Sequence, residues 1–441
     1  MPSPAKPAER RALPEGTVPV GLALLVAGIA TFAFFRIGKW ALGGNDEFKP
    51  IVSMWFATFA IAPGLFLPLE QELGRALSHR RALGQGGRPV LRRVAWTGAI
   101  IAVVTLVVVL GLSPLITSEY FDGDWWMLAA LVTALVAYFP PHIARGVCAG
   151  EGRFRSYAFV ISADGVVRIV VCVAMALVGI KAAGAYGFAV ALAPLVPVSL
   201  VWWRGSLRTE PGPDATWGET SQNLGWLLGG TLCAGALLNA GPVTANLLQD
   251  HEPDGLVAQF GYAVLLARIP LFLFQAVQAA LLPRLSRLAA KGEWQEFRSG
   301  LKLLFSMIAA IGVVGTAGAF VLGPPVIQLV YDAPDIGGRT LAMLALSSAI
   351  YMGCIATAQA VIALHGHLLV ALGWMAGVAT FAVTVWLSSD LLFRRIEIGL
   401  VLSSTVSLVV FATALRAKLA AGVQPTTDSV LDALTEVPLE S

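Results

Sequence analysis

Charge is what this sequence has least of. Asp, Glu, Lys and Arg make up 13% of its 441 residues, where a soluble domain carries about 25%. With 57% hydrophobic residues and a mean hydropathy of +0.75, no water-facing fold could cover its apolar surface. Thiols are also few. Cys148, Cys172, Cys233 and Cys354 lie in apolar stretches without a C-x-x-C spacing, which argues against a disulfide framework or a zinc site and leaves them as small packing residues. There is no Walker loop, no H-E-x-x-H or G-x-S-x-G and no metal-ligand cluster, so neither an ATP motor, a catalytic centre nor a cofactor is expected. The 30 basic and 27 acidic side chains nearly balance, which gives no reason to expect nucleic acid as a partner.

What remains is hydrophobic length. Apolar stretches near 17–36, 50–68, 94–115, 125–149, 156–180, 183–203, 222–247, 257–283, 302–330, 339–364, 367–389 and 396–415 each suit a helix of about 20 residues crossing a bilayer. The expected fold class is an all-α polytopic membrane protein with about twelve transmembrane helices and no room for a soluble domain. Lys6, Arg10 and Arg11 precede the first run, which lacks a cleavage site and is followed by further spans, so it reads as an uncleaved first helix. With both termini inside, the inner segments hold 21 Lys and Arg and the outer ones 7, as the positive-inside rule requires of an inner or plasma membrane protein. The basic inner connections include Arg75, Arg80, Arg81, Arg88, Arg92 and Arg93, and later Arg284, Arg287 and Lys291. They are expected to set orientation and touch anionic lipids. Arg394 and Arg395 fall on the outer side, so either the last two spans are misplaced or that loop is an exception.

Two segments repeat. "LFLPLEQELGRALSHRRA" from Leu65 matches "LFLFQAVQAALLPRLSRLAA" from Leu271, and "ARGVCAGEG" from Ala144 matches "AQAVIALHG" from Ala358. Occurring in the same order, they imply two six-helix halves related by an axis along the membrane normal. The expected organisation is a cytoplasmic segment 1–14, a first lobe 15–207, a polar linker 208–221, a second lobe 222–418 and a disordered cytoplasmic tail 419–441.

A charge within a span costs about 3 kcal/mol on insertion scales, so each one calls for a partner or a purpose. Asp164 and Arg168 are four residues apart on one helical face, with Tyr157 two turns below. They suit either an internal ion pair or a cavity lining. Arg268 lies inside the eighth span in "LLARIPLFLFQAVQ", beside Pro270 and near the face of Gln275, with no acidic residue within a turn. It is expected to face a cavity or an anionic ligand, the alternative being hydrogen bonds to carbonyls. Tyr138, His142 and Arg145 form one polar stripe across the Pro140-Pro141 break, in which Arg145 could simply snorkel. Asn239, Pro242 and Asn246 form another, better suited to interhelical hydrogen bonding.

The two lobes, the repeated basic loops and the stretch "GEGRFRSYAFVISADGVVRIVV" together resemble the Wzx-type polysaccharide-export flippases. Those belong to the multidrug/oligosaccharidyl-lipid/polysaccharide superfamily. The resemblance implies a MATE-like pair of lobes enclosing a cationic cavity, and flipping of an isoprenoid-pyrophosphate-linked oligosaccharide to the outer leaflet by alternating access. Polymerase or glycosyltransferase machinery would then be a natural partner. Arg168, Arg268 and Arg145 offer planar guanidinium groups suited to a pyrophosphate. A lipid II flippase stands close to this reading. A multidrug or cation antiporter of the same superfamily would place carboxylates in the first or seventh span, which have none before Asp250. A polyprenyl-phosphate-dependent glycosyltransferase would use acidic residues in the first outer loop, where Asn45, Asp46 and Glu47 stand, but leaves the repeat unexplained. A non-transporting scaffold for cell-wall assembly is the remaining class.

Overall fold

The computed structural model describes residues 16–216, 224–249, 254–271, 274, 288, 292–364 and 366–420. Among them every regular element is a helix. These are α1 (Thr17–Leu42), α2 (Asn45–Ala82), α3 (Arg88–Gly111), α4 (Ser113–Tyr120), α5 (Trp125–Ala137), α6 (Phe139–Gly150), α7 (Phe154–Val178), α8 (Ala183–Leu192) and α9 (Leu195–Trp203). The second part of the chain adds α10 (Leu224–Leu247), α11 (Asp254–Ala267), α12 (Trp294–Tyr331), α13 (Gly338–Ala363), α14 (His367–Leu387) and α15 (Leu392–Ala420). With α5–α6 and α8–α9 each forming one broken crossing, 11 spans are long and apolar enough to traverse a membrane, and the shorter α11 lies where the eighth is expected. Gln275, Arg284, Arg287, Lys291, Asp250, the segment 1–14 and the tail beyond 420 lie outside the described residues.

The surface is inverted relative to a soluble protein. Val103, Val107, Val313, Val321 and Leu329 are exposed, whereas Glu70, His142, Arg168, Arg268 and Glu397 are buried, as lipid in place of water demands. Exposed tryptophans gather at both ends of the bundle, Trp40, Trp125, Trp126 and Trp386 at the α1–α2 face, Trp202, Trp203 and Trp226 at the α2–α3 face. Such belts mark the levels of the head groups.

Helix packing repeats with a spacing of six crossings. α1 packs on α7 as α10 does on α14, α2 on α6 as α11 on α13, and α3 on α5 as α12 on α13. Likewise α5 meets α8 as α13 meets α15, and α7 meets α8 and α9 as α14 meets α15. The result is two pseudo-symmetric lobes. They join chiefly through α2, which runs along α10 and touches α11.

That seam is built by glycine and proline. A Cβ on Gly64 would lie 2.6 Å from the Cα of Leu232, and one on Gly235 would lie 2.9 Å from the carbonyl oxygen of Ala60, so only glycine permits this approach. Pro63 and Pro68 lie inside α2 and lack the N–H that would bond the carbonyls four residues back. Those carbonyls, of Phe59 and Gly64, are taken by the other lobe: Asn239 Nδ2 donates to Phe59 O at 3.0 Å and Thr231 Oγ1 to Gly64 O at 2.7 Å. Both freed carbonyls thus keep a donor in the apolar interior.

Two expectations are corrected. The second span does not end near 68 but continues as helix to Ala82, and the ninth begins at Trp294 rather than near 302. Arg75, Arg80 and Arg81 are therefore helical rather than loop residues. Arg80 is buried and does not face lipid. Its guanidinium donates to Gly86 O at 3.2 Å, Pro213 O at 2.7 Å and Asp214 O at 3.2 Å. Arg153 reaches Ser206 O at 2.7 Å and Arg208 O at 3.0 Å, so the described part of the linker is strapped to the first lobe.

Candidate functional site

In the second lobe Pro242 stands inside α10 and by the same rule frees the carbonyl of Leu238. Arg268 Nη2 donates to that carbonyl, while Nη1 donates to Asn239 Oδ1 at 3.1 Å. The guanidinium carbon lies 5.5 Å from the centroid of the Phe56 ring of α2, within cation–π range. Arg268 is 8% exposed, and among the described residues no carboxylate pairs with it. Its hydrogen-bond acceptors are neutral, and no described carboxylate offsets its charge. Beside it is a cavity of about 30 Å³ lined by Arg268, Ser347, Ser348, Tyr351 and Ser404 with apolar side chains of α10, α11, α13 and α15, large enough for one water-sized guest.

The first lobe mirrors this across α2. Arg168 Nη2 bonds Asp164 Oδ2 at 2.5 Å and Tyr138 OH at 3.3 Å, and its guanidinium lies 4.8 Å from the Trp55 ring. Arg168 Nε and Asp164 Oδ1 are buried without a hydrogen-bond partner. Trp55 and Phe56 are adjacent, so the two buried arginines stack on neighbouring rings of one helix. Phe59, one turn on, links them further: its ring packs on Tyr138 at 5.5 Å and its carbonyl accepts from Asn239.

The expected stripe of Tyr138, His142 and Arg145 divides at the break between α5 and α6, where Pro140 and Pro141 interrupt the helical ladder. Tyr138 turns to Arg168, whereas His142 and Arg145 converge on Glu70. Glu70 Oε2 accepts from Arg145 Nε at 2.9 Å and Nη2 at 2.6 Å and lies 2.9 Å from His142 Nδ1. Tyr157 OH donates to Oε1 at 2.8 Å, so Tyr157 serves Glu70 rather than Asp164. Arg145 thus does not snorkel. Asn246 sits near the other end of the seam, accepting from Ser53 Oγ at 2.7 Å and donating to Tyr120 O at 2.8 Å.

Glu70, which ties α2, α6 and α7 together, was not among the residues singled out by sequence. Ending the span at 68 had placed it in a loop. Lys39, Lys49 and Glu397 are likewise buried and were missed because each lies near a helix end, where hydropathy averages over lipid and water. Lys49 pairs with Asp122 at 2.7 Å and Glu397 with Arg339 at 3.1 Å.

Comparison with known proteins places this architecture. A variant of the Vibrio cholerae MATE transporter VcmN superposes with a TM-score of 0.65 at 15% identity, over 91% of this chain and 97% of that one. An inward-facing multidrug resistance MATE family transporter of the MOP superfamily gives 0.64 at 14% identity, over 91% and 98%. The chain is a multi-pass membrane protein with a MATE-type fold. More particularly, the profile of the lipid II flippase MurJ family matches residues 227–351, a segment that contains Asn239, Asn246 and Arg268. Over greater length the chain resembles the uncharacterized protein Rv3630 of Mycobacterium tuberculosis, 26% identical over 382 residues that cover 82% of this chain and 84% of that protein. The uncharacterized protein Rv1510 of the same organism is 27% identical over 379 residues, covering 83% and 84%.

Proposed function

We propose that this chain flips an isoprenoid-pyrophosphate-linked saccharide from the cytoplasmic to the outer leaflet by alternating access between its two lobes, roughly residues 15–207 and 222–418. The observation that carries this is Arg268. A buried guanidinium with neutral acceptors only is costly in an apolar interior, and a phosphoryl oxygen is the partner its planar fork fits best. It lies in the segment that matches the lipid II flippase family, and lipid II is one member of this substrate class. The cavity beside it admits a water-sized guest, so a pyrophosphate would reach Arg268 when the lobes part. Arg168 is the corresponding donor of the first lobe, with Asp164 and Tyr138 holding it. His142 and Arg145 are read as scaffold through Glu70. The multidrug antiporter reading draws on the MATE fold alone.

The basic ends of α2 and α7 support a cytoplasmic α2–α3 face by the positive-inside rule. Membrane glycosyltransferases or a polysaccharide polymerase are the partners this reading implies.

The test is export of the lipid-linked saccharide in cells carrying Arg268→Ala or Arg168→Ala. Both proteins should insert, and the glycan precursor should build up on the cytoplasmic leaflet. Unchanged export in both variants would sink the cationic-site reading, and drug sensitivity without precursor accumulation would favour an antiporter.

A further inference from the structure

At the α1–α2 face the lobes meet through one buried ammonium. Lys39, in the last turn of α1, is 6% exposed. Its Nζ donates to the main-chain oxygen of Tyr331 and, at 3.0 Å, to that of Asp332. These are the last residue of α12 and its C-cap, so the ammonium of one lobe caps the carbonyl end of a helix in the other. Such carbonyls have no donor within their own helix and carry the negative end of its dipole. Asp332 adopts the left-handed conformation, φ 50°, and closes α12 by donating its N–H to Gln328 O at 2.8 Å.

Aromatic rings from both lobes surround this contact. Tyr262 of α11 meets Phe35 of α1 at 6.2 Å and Phe48 of α2 at 6.4 Å, and stacks on Tyr331 at 4.8 Å. Lys39 Nζ lies 6.0 Å from the Tyr262 centroid. The Asp332 carboxylate is 3.8 Å away and its side chain is 83% exposed, so solvent screens that pair and the carbonyls carry the contact.

We propose that Lys39 is a latch between the lobes: by capping α12 inside an aromatic seal it holds the α1–α2 face closed, and any arrangement open to that face must release it. This rests on the alternating-access reading above but not on the identity of the substrate. On opening, the ammonium regains water while the carbonyls of α12 lose their donor. The open fraction therefore depends on a residue that touches no substrate.

A cysteine pair across the same face reads the closed fraction. A Cβ on Gly255, at the start of α11, would lie 3.3 Å from Asn45 Cβ at the start of α2, close to the separation in a disulfide. In the full chain in liposomes, the closed-to-open ratio, read as crosslinked against uncrosslinked Asn45→Cys/Gly255→Cys protein after a brief oxidant pulse, should fall about tenfold on adding Lys39→Met, the effect of one hydrogen bond to a charged group. Lys39→Arg and Asp332→Asn should stay within about twofold of the parent. Should Lys39→Met fail to insert, Lys39→Gln, with a neutral donor on a stem one atom shorter, should lower the same ratio about threefold. Parent-like crosslinking in the inserted Lys39 variant overturns the latch. So does an Asp332→Asn effect as large as that of Lys39→Met, because the carboxylate would then hold the contact. Crosslinking needs no substrate, so a chain that flips no saccharide yet keeps this order of ratios retains the latch and loses only the proposed substrate.

Discussion

Glu70 holds more of the first lobe together than any residue of the arginine sites. Its carboxylate takes two bonds from Arg145, lies against His142 and receives the hydroxyl of Tyr157, joining three helices in an apolar interior. Removing one partner of a buried ion pair strands the other, at a cost of about 3–5 kcal/mol. Glu70→Ala is expected to lower the thermal unfolding midpoint in detergent strongly, with Glu70→Gln between it and the parent. Equal midpoints for all three would show that the network contributes nothing to stability. Pro242 has the opposite character. Pro242→Ala restores the N–H that α10 lacks and offers Leu238 O a helical donor, worth about 1 kcal/mol. The thermal midpoint should hold or rise while export falls, because Arg268 must then share its acceptor. Export at the parent level would show that this acceptor does not position the guanidinium.

At the scale of elements, α2 is the shared part. It carries the rings beneath both arginines and the two carbonyls that α10 binds, and its glycine contacts allow the helices to lie side by side. Gly235→Val drives a branched side chain into the Ala60 carbonyl and should destabilise by about 1–3 kcal/mol, read as a lower midpoint and reduced accumulation in the membrane. Gly28→Ala is the control, since nothing lies within 4 Å of the added methyl. Sequence showed a span near 50 that bears a repeat, but neither its start nor its length: α2 begins at Asn45, so Asp46 and Glu47 form its first turn rather than an outer loop. Hydropathy falls where the helix leaves the apolar layer, although its backbone ladder continues to Ala82. Glu70 was hidden by that one boundary.

For the whole molecule, the eleven spans with α11 counted as the eighth crossing would return the chain to the face from which it started. A reporter inserted between Leu42 and Asn45 is expected on the outer side, and reporters at 83–87 and after 420 on the cytoplasmic side. Opposite locations for the last two would remove one crossing from the count. Arg394 and Arg395 begin α15, and with Arg339 and Glu397 paired nearby this corner, outer in the proposed orientation, would carry positive charge against the general bias. The bias is a sum over loops, so a single exception does not reverse it.

The arginines most exposed to doubt in the sequence, Arg168 and Arg268, lie on either side of one helix, on adjacent rings. Sequence by itself determined the membrane class, nine of the spans to within two turns of their ends, the two-fold repeat and the short roster of charges within spans. All of these follow from local composition and from the cost of charge in lipid. Only the tertiary structure decided which polar groups meet. It gave Asn239 the carbonyl freed by Pro63, Arg268 the one freed by Pro242, Arg145 and His142 the unexpected Glu70, and Lys39 the end of α12. A periodic pattern states which face of a helix is polar. The partner of that face is set by how helices cross and by which backbone groups each proline leaves unbonded, and those depend on every other helix in the bundle.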